Sequence, residues 1–178
     1  LNRLNNEPFH APGWASHQTR DAYWKHGSIC EDWDRMTVPI LSYGGWNDNY
    51  MNTVTHLMEN ARGPVKGIIG PWVHQYPHTA VPGPRIGFLQ LAVRWWDRWL
   101  KGIENGADKD PALRAYMLHS QPPNPSAAYR NGHWVAEVEW PTPRVSRRVM
   151  MVSDAGLGMA GPLHASVCTA QHLGMNAG

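Results

Sequence analysis

Hydrophobic and polar positions change their period several times along this chain, and each change marks an element. Residues 38–43 (VPILSY) form an apolar, partly β-branched run with its proline at the start, where a strand tolerates one. Gly44 and Gly45 stop that run, and Asp48 follows. Over residues 50–61 the apolar positions Met51, Val54, Leu57, Met58 and Ala61 recur at helical spacing, with Asn52, Thr53, Thr55, His56, Glu59 and Asn60 opposite. Gly63-Pro64 closes this helix. Residues 65–69 (VKGII) then predict a short strand that ends at Gly70-Pro71, with His74 just beyond. Residues 87–101 predict a second, strongly amphipathic helix. Its core face is Phe88, Leu91, Ala92, Trp95, Trp96, Trp99 and Leu100, its polar face Gln90, Arg94, Asp97, Arg98 and Lys101, and its C-cap Gly102. After a polar Gly- and Pro-containing linker at residues 104–111, short β segments follow at 113–118, 134–139 and 147–152, with a turn at 153–156. That switch predicts the start of an all-β sandwich. Residues 1–20 are polar and broken by Pro8, Pro12 and Gly13, so they read as loop; residues 21–26 read as one or two helical turns capped by Asp21.

A strand–helix–strand unit of this length requires a right-handed crossover, so the two strands should run parallel in one sheet. Asp48 and His74 then both leave the carboxyl ends of strands, where open α/β sheets build their sites. Acid after one strand and histidine after a later one is the order in which α/β-hydrolases present the last two members of a Ser-Asp-His set. Neutral His74 would take a proton from a serine hydroxyl, while the Asp48 carboxylate held its tautomer and stabilised the imidazolium. The same residues admit plainer roles. Asp48 precedes a helix and suits a turn or an N-cap, and a loop histidine is often simply solvated.

Three stretches narrow the choice: Gly44-Gly45-Trp46-Asn47-Asp48, then Ile69-Gly70-Pro71-Trp72-Val73-His74, then Arg94-Trp95-Trp96-Asp97-Arg98-Trp99-Leu100-Lys101-Gly102. In order and spacing they resemble the CocE/NonD hydrolases, the group of cocaine esterase, X-Pro dipeptidyl-peptidase and the α-amino acid ester hydrolases. The resemblance covers most of residues 20–152. It implies that Asp48 is the triad acid and His74 the triad base. It also implies an α/β fold class: the C-terminal part of an α/β-hydrolase fold over residues 1–107, including the end of a cap region, followed by the start of a jelly-roll-like β-sandwich over residues 108–178. Gly132-His133-Trp134 and Trp140-Pro141 resemble the early strands of that second domain. The implied substrate is a small-molecule ester, amide or peptide, of acyl or X-Pro type.

The nucleophile is the missing part. No G-x-S-x-G pentapeptide occurs. Ser42-Tyr43-Gly44-Gly45 imitates part of one, but position 40 is Ile, and a strand that already delivers Asp48 cannot easily deliver the serine too. Ser42 therefore reads as an ordinary sheet residue. The chain starts at Leu1, and its first strong strand arrives only near residue 38. The expectation is an internal piece of a larger hydrolase, with the serine and oxyanion hole upstream and the isolated chain inactive. Trp46, Asn47, Trp72 and Tyr76 flank the two triad positions and are expected to line the substrate pocket or to pack beside it.

Composition trims the alternatives. The net charge is +2, with Lys and Arg scattered and no basic run, so nothing argues for nucleic acid. No apolar run is long enough to span a membrane, and cytoplasmic residence is the default expectation. Ten tryptophans read as aromatic packing in preference to a stacking platform. The two cysteines, Cys30 and Cys168, are far apart and read as free buried thiols. His10, His17 and His26 share no ligand spacing and read as solvated. No cofactor and no metal are expected; His74 and His78 make an H-x3-H pair, but companion ligands for zinc are lacking. A non-catalytic carbohydrate- or protein-binding module with a β-sandwich is the rival from another class. Substrate identity and oligomeric state are not legible at this level.

Overall fold

Proline at position 39 sets where the first strand begins. It has no N–H to give, so the ladder opens one residue later, with the Ile40 amide donating to the Pro64 carbonyl at 2.8 Å. In the computed structural model, which describes residues 5–153 and 156–158, this strand is β1 (Ile40–Gly45). It runs through both glycines, pairing Gly44 with Ile69 and Gly45 with Gly70. Helix α3 (Asn52–Asn60) follows, preceded near the N-terminus by α1 (His10–Ser16) and α2 (Ala22–Lys25). Residues 10–16, expected as loop, are helical. Pro12 sits in the first turn, where its missing N–H has no intrahelical acceptor to lose. Asp21 caps α2 as expected, accepting from the Tyr23 amide at 2.9 Å.

Strand β2 (Val65–Gly70) lies parallel to β1 in full register, from Ile40↔Val65 to Gly45↔Gly70. It is the most buried strand, with Gly67, Ile68, Ile69 and Gly70 all enclosed, because helices and loops cover both its faces. α4 (Phe88–Lys101) ends at Gly102, whose φ of 71° is the left-handed conformation a side chain resists.

Next comes a departure from expectation. β3 (Leu113–Leu118), expected to open a separate β-sandwich, is the third strand of the same sheet: it pairs parallel with β2 through Gly67↔Leu113 and Ile69↔Ala115. β4 (Gly132–Glu137) then pairs antiparallel with β3, and the four-stranded order is β1-β2-β3-β4. The segment expected as a linker is bound to α4. Arg94 meets Asp110 at 2.6 Å, Arg98 meets Asp108 and Glu104 at 2.9 Å, and the Asn105 amide donates to the Arg94 carbonyl at 2.7 Å. Its polar composition signals ion pairing to the helix, so the chain crosses it without leaving the sheet. Beyond β4, a hairpin joins β5 (Met151–Ser153) to β6 (Gly156–Gly158). Cys30, expected buried, is a free thiol exposed in the polar N-terminal segment, where no apolar cluster among the described residues covers it. Part of the expected turn at 153–156, Cys168, and the expected sandwich beyond residue 158 lie outside the described residues.

Two apolar clusters flank the sheet. One holds Val54, Ile69, Leu113 and Ala115, with Trp46, Met58, Val135 and Trp140 packed against it; the other holds Ile68, Trp72 and Ala80, with Leu41, Tyr43, Ile86 and Leu91. α4 buries a narrower stripe than its sequence suggests. Phe88, Ala92 and Trp95 are buried, whereas Trp96 and Leu100, expected in the core, are exposed together with Leu89 and Val93. Leu89, Val93 and Trp96 border an apolar trough of about 940 Å³ whose other wall includes Pro39 and, within β1, Leu41 and Tyr43. Among the described residues, β1 has a strand partner on one side only.

Candidate active site

Three parallel strands end at the same edge of the sheet, and the loops after β1 and β2 are stitched together there. The Trp46 amide donates to the Gly70 carbonyl at 2.8 Å, and the Asn47 amide to the Trp72 carbonyl at 3.1 Å. The Asn47 side chain donates to the Pro71 carbonyl at 2.9 Å. So close an approach requires glycine: a Cβ on Gly45 would lie 1.9 Å from the Trp72 carbonyl oxygen, and one on Gly70 would lie 2.4 Å from the Trp72 indole. The two G-G-W and G-P-W stretches are thus halves of one joint.

That joint brings Asp48 and His74 together. His74 Nδ1 lies 2.9 Å from Asp48 Oδ2. The other carboxylate oxygen accepts from the Tyr50 amide at 2.9 Å, so backbone and imidazole between them fix the carboxylate plane. The same turn delays α3 to Asn52, because Asp48 takes up the Tyr50 amide before the helix begins. Burial is unequal: the Asp48 side chain is 11 % exposed and the His74 side chain 79 %. The acid is held inside the loop, while the imidazole stands in the open with its Nε2 unpartnered among the described residues. The Tyr50 ring meets it edge-on at 5.6 Å between centroids.

The cleft at this point has a volume of about 580 Å³ and includes Asp48, His74, Tyr50, Thr53, Gln75 and Tyr76 in its lining. Of the four residues expected around the triad positions, Tyr76 lines it. Trp72 is buried in the core, its indole N–H donating to the Pro84 carbonyl at 2.8 Å. Trp46 packs against the Val54 cluster and donates to the Tyr116 carbonyl at 2.7 Å. With Asn47 bonded to Pro71, these three side chains hold the loops rather than face the cleft. Tyr50, Thr53 and Gln75 carry no motif that singles them out; only the fold places them there. Burial, with Tyr76 alongside, pushes the Tyr43 phenol above its ordinary value, so it stands beside the cleft as a neutral hydroxyl.

Among the described residues, neither serine nor cysteine lines this cleft. Ser42 is buried within β1, opposite Gly67. The H-x3-H pair does not act as one site. His74 is engaged by Asp48, whereas His78 lines the apolar trough, stacked on Phe88 with its ring Nδ1 buried and without a partner among the described residues. Among the described residues no group of three or more His, Cys, Asp or Glu side chains converges. A second histidine–carboxylate contact, His17 Nδ1 to Asp21 Oδ2 at 2.6 Å, lies in the N-terminal segment between residues four apart; its hydrogen bond pulls the Asp21 carboxyl down.

Comparison with known proteins adds the following. The family model described as X-Pro dipeptidyl-peptidase (S15 family) matches residues 1–76. Two crystal structures of a CocE/NonD family hydrolase from Staphylococcus aureus share the fold. One has a TM-score of 0.64 at 14 % identity, covering 89 % of this chain and 28 % of that one. The other has a TM-score of 0.58 at 13 % identity, covering 86 % and 26 %. The chain therefore spans little more than a quarter of the length of those relatives. No curated protein matches it.

Proposed function

We propose that this chain is part of a hydrolase of the CocE/NonD group and supplies the acid and base of a Ser-His-Asp triad, a reading supported by the X-Pro dipeptidyl-peptidase family match over residues 1–76 and by the shared fold. Asp48 is the orienting acid and His74 the general base. One observation carries the reading: an imidazole held at 2.9 Å by a nearly enclosed carboxylate, with its second nitrogen open to the cleft. In the reaction, Nε2 of His74 takes the proton of a serine hydroxyl as its oxygen attacks the substrate carbonyl. Asp48, bonded to Nδ1–H, keeps Nε2 as the basic nitrogen and stabilises the imidazolium. The imidazolium then protonates the departing alcohol or amine. A water deprotonated by the same nitrogen releases the acid from the acyl-serine.

The serine comes from a part of the protein outside this chain, and with it the donors that stabilise the oxyanion. Support lies in the cleft, whose lining has no serine among the described residues, and in the edge of β1 that no described strand pairs, with the apolar trough beside it. An apolar face of this size marks a contact surface, and a further part of the sheet would cover it. The chain alone is then inactive. Substrates are small esters, amides or peptides of acyl or X-Pro type, and the residues after β4 begin a β-sandwich domain.

The test is to produce the chain with its natural upstream sequence and probe it with a fluorophosphonate. The expected outcome is labelling of an upstream serine, slowed by about 10⁴-fold in Asp48→Asn and as severely in His74→Ala. Undiminished labelling in His74→Ala would remove that residue from the mechanism.

A further inference from the structure

A second histidine cluster stands apart from the Asp48–His74 contact, on the last two strands of the sheet. His119 follows β3 directly, and its amide donates to the Asn131 carbonyl at 2.9 Å, extending the antiparallel ladder by one residue. His133 lies on β4, two positions along from Asn131, with Met117 opposite it. Diagonal neighbours of this kind share a face of the sheet, within reach of long or aromatic side chains. Here the rings meet: His119 Nε2 lies 2.9 Å from His133 Nδ1, with centroids 5.1 Å apart and planes at 46°. Both residues are exposed.

We propose that His119 and His133 form a two-point clip for a divalent first-row transition-metal ion, with copper(II) held tightest. The argument is one of bite. Metal–imidazole bonds of about 2.0–2.1 Å meeting at 90–109° place two ligand nitrogens about 2.9–3.4 Å apart. The observed separation already falls within that span, so no strand has to move. In the metal-free chain one ring donates its N–H and the other accepts. For a metal to bind, the donor ring shifts its proton to its other nitrogen, so that both facing nitrogens offer lone pairs, and each ring turns by about 35–45° to bring those lone pairs onto a common point. Solvent exposure leaves the rings free to make that turn.

The backbone beneath them is a paired ladder, which limits the ordering cost that weakens chelation by flexible histidines. No third His, Cys, Asp or Glu side chain joins the pair among the described residues, so water completes the coordination sphere and affinity is modest, at about the micromolar level. Imidazole donors suit copper, nickel and zinc, and the general order of divalent affinities puts copper first. Because β3 runs parallel to β1 and β2, His119 leaves the same edge of the sheet as Asp48 and His74.

Calorimetric titration of the full chain with copper(II), and separately with zinc(II), tests the clip. One saturable equivalent of copper is expected, with zinc about 10-fold weaker or more. Both His119→Gln and His133→Gln should weaken that equivalent by about 10-fold or more, while His56→Gln leaves it unchanged. Bound copper(II) should show hyperfine structure from two nitrogens in its electron paramagnetic resonance spectrum, and His133→Gln should reduce it to the pattern of one. Far-ultraviolet circular dichroism keeps loss of fold distinct from loss of ligand. Absence of a saturable equivalent, or one that survives in both folded single variants, would overturn the assignment. None of these readings depends on hydrolysis.

Discussion

Gly45→Ala is the sharpest probe of the joint beneath the candidate active site. The new Cβ would lie 1.9 Å from the Trp72 carbonyl oxygen, 2.6 Å from its carbon and 3.0 Å from the Trp72 Cα. Ordinary carbon–oxygen contacts begin at about 3.3 Å, so the two loops must part by about 1.4 Å. The obstacle is backbone, and no rotamer change relieves it. Such a shift breaks the bonds from the Trp46 amide to Gly70 (2.8 Å) and from the Asn47 amide to Trp72 (3.1 Å). Overpacking of this kind costs about 1–3 kcal/mol, and each lost bond about 0.5–1.5 kcal/mol more. The expected loss of stability is therefore about 2–6 kcal/mol, read as a lowered midpoint in urea unfolding. Gly27→Ala, outside the helices and with nothing within 4 Å of the added carbon, serves as a control and should stay within about 0.5 kcal/mol. The same displacement takes His74 out of reach of Asp48, so under the proposed mechanism acylation of the upstream serine should fall by about 10²-fold or more. A Gly45→Ala chain with an unchanged midpoint would refute the idea that this contact sets the loop geometry.

Three further outcomes follow from the same structure. Asn47→Ala removes the side-chain bond to the Pro71 carbonyl and should cost about 0.5–1.5 kcal/mol in urea unfolding. Ile69→Ala empties a site 1 % exposed between β1 and β3 and should cost about 2–5 kcal/mol by the same assay. Burial, reinforced by a hydrogen bond with Tyr129, pushes the Tyr116 phenol up to about 12. Its folded value is thus above the unfolded one near 10, so the neutral phenol favours the fold. That contribution is whole below pH 10 and is lost as pH rises toward and through 12. Tyr116→Phe should flatten the alkaline fall of the urea midpoint across that window. A slope as steep as in the parent chain would show that Tyr116 does not titrate with unfolding.

Much of the site's scaffold was legible in advance because its causes are local. Apolar spacing over residues 50–61 and 87–101 marks helices, glycine at 102 ends one of them, and proline at 39 sets where a strand begins. Parallel pairing of β1 with β2 follows from the length of the crossover alone. Reading the 104–111 segment failed for an equally physical reason. Charged residues look alike whether they face water or cross to Arg94 and Arg98, and only the fold shows the crossing. β3 has the composition of a strand in either case; which neighbour it hydrogen-bonds is a long-range choice.

The tryptophans show the same division at the level of single side chains. Trp46 and Trp72 stand beside Asp48 and His74 in the chain, yet their indoles turn inward to carbonyls of Tyr116 and Pro84. Tyr50, Thr53 and Gln75 turn toward the cleft without any motif to announce them. Residue type and spacing decided which elements form, where they stop, and that an acid and a histidine would leave one edge of a parallel sheet. Whether those two side chains meet, which aromatics face the cleft, and which helix stripe stays bare were decided by tertiary packing. The reason is range: dihedral preference and amphipathic period act over a few residues, whereas burial and hydrogen-bond partnership depend on atoms that the chain brings back from far away.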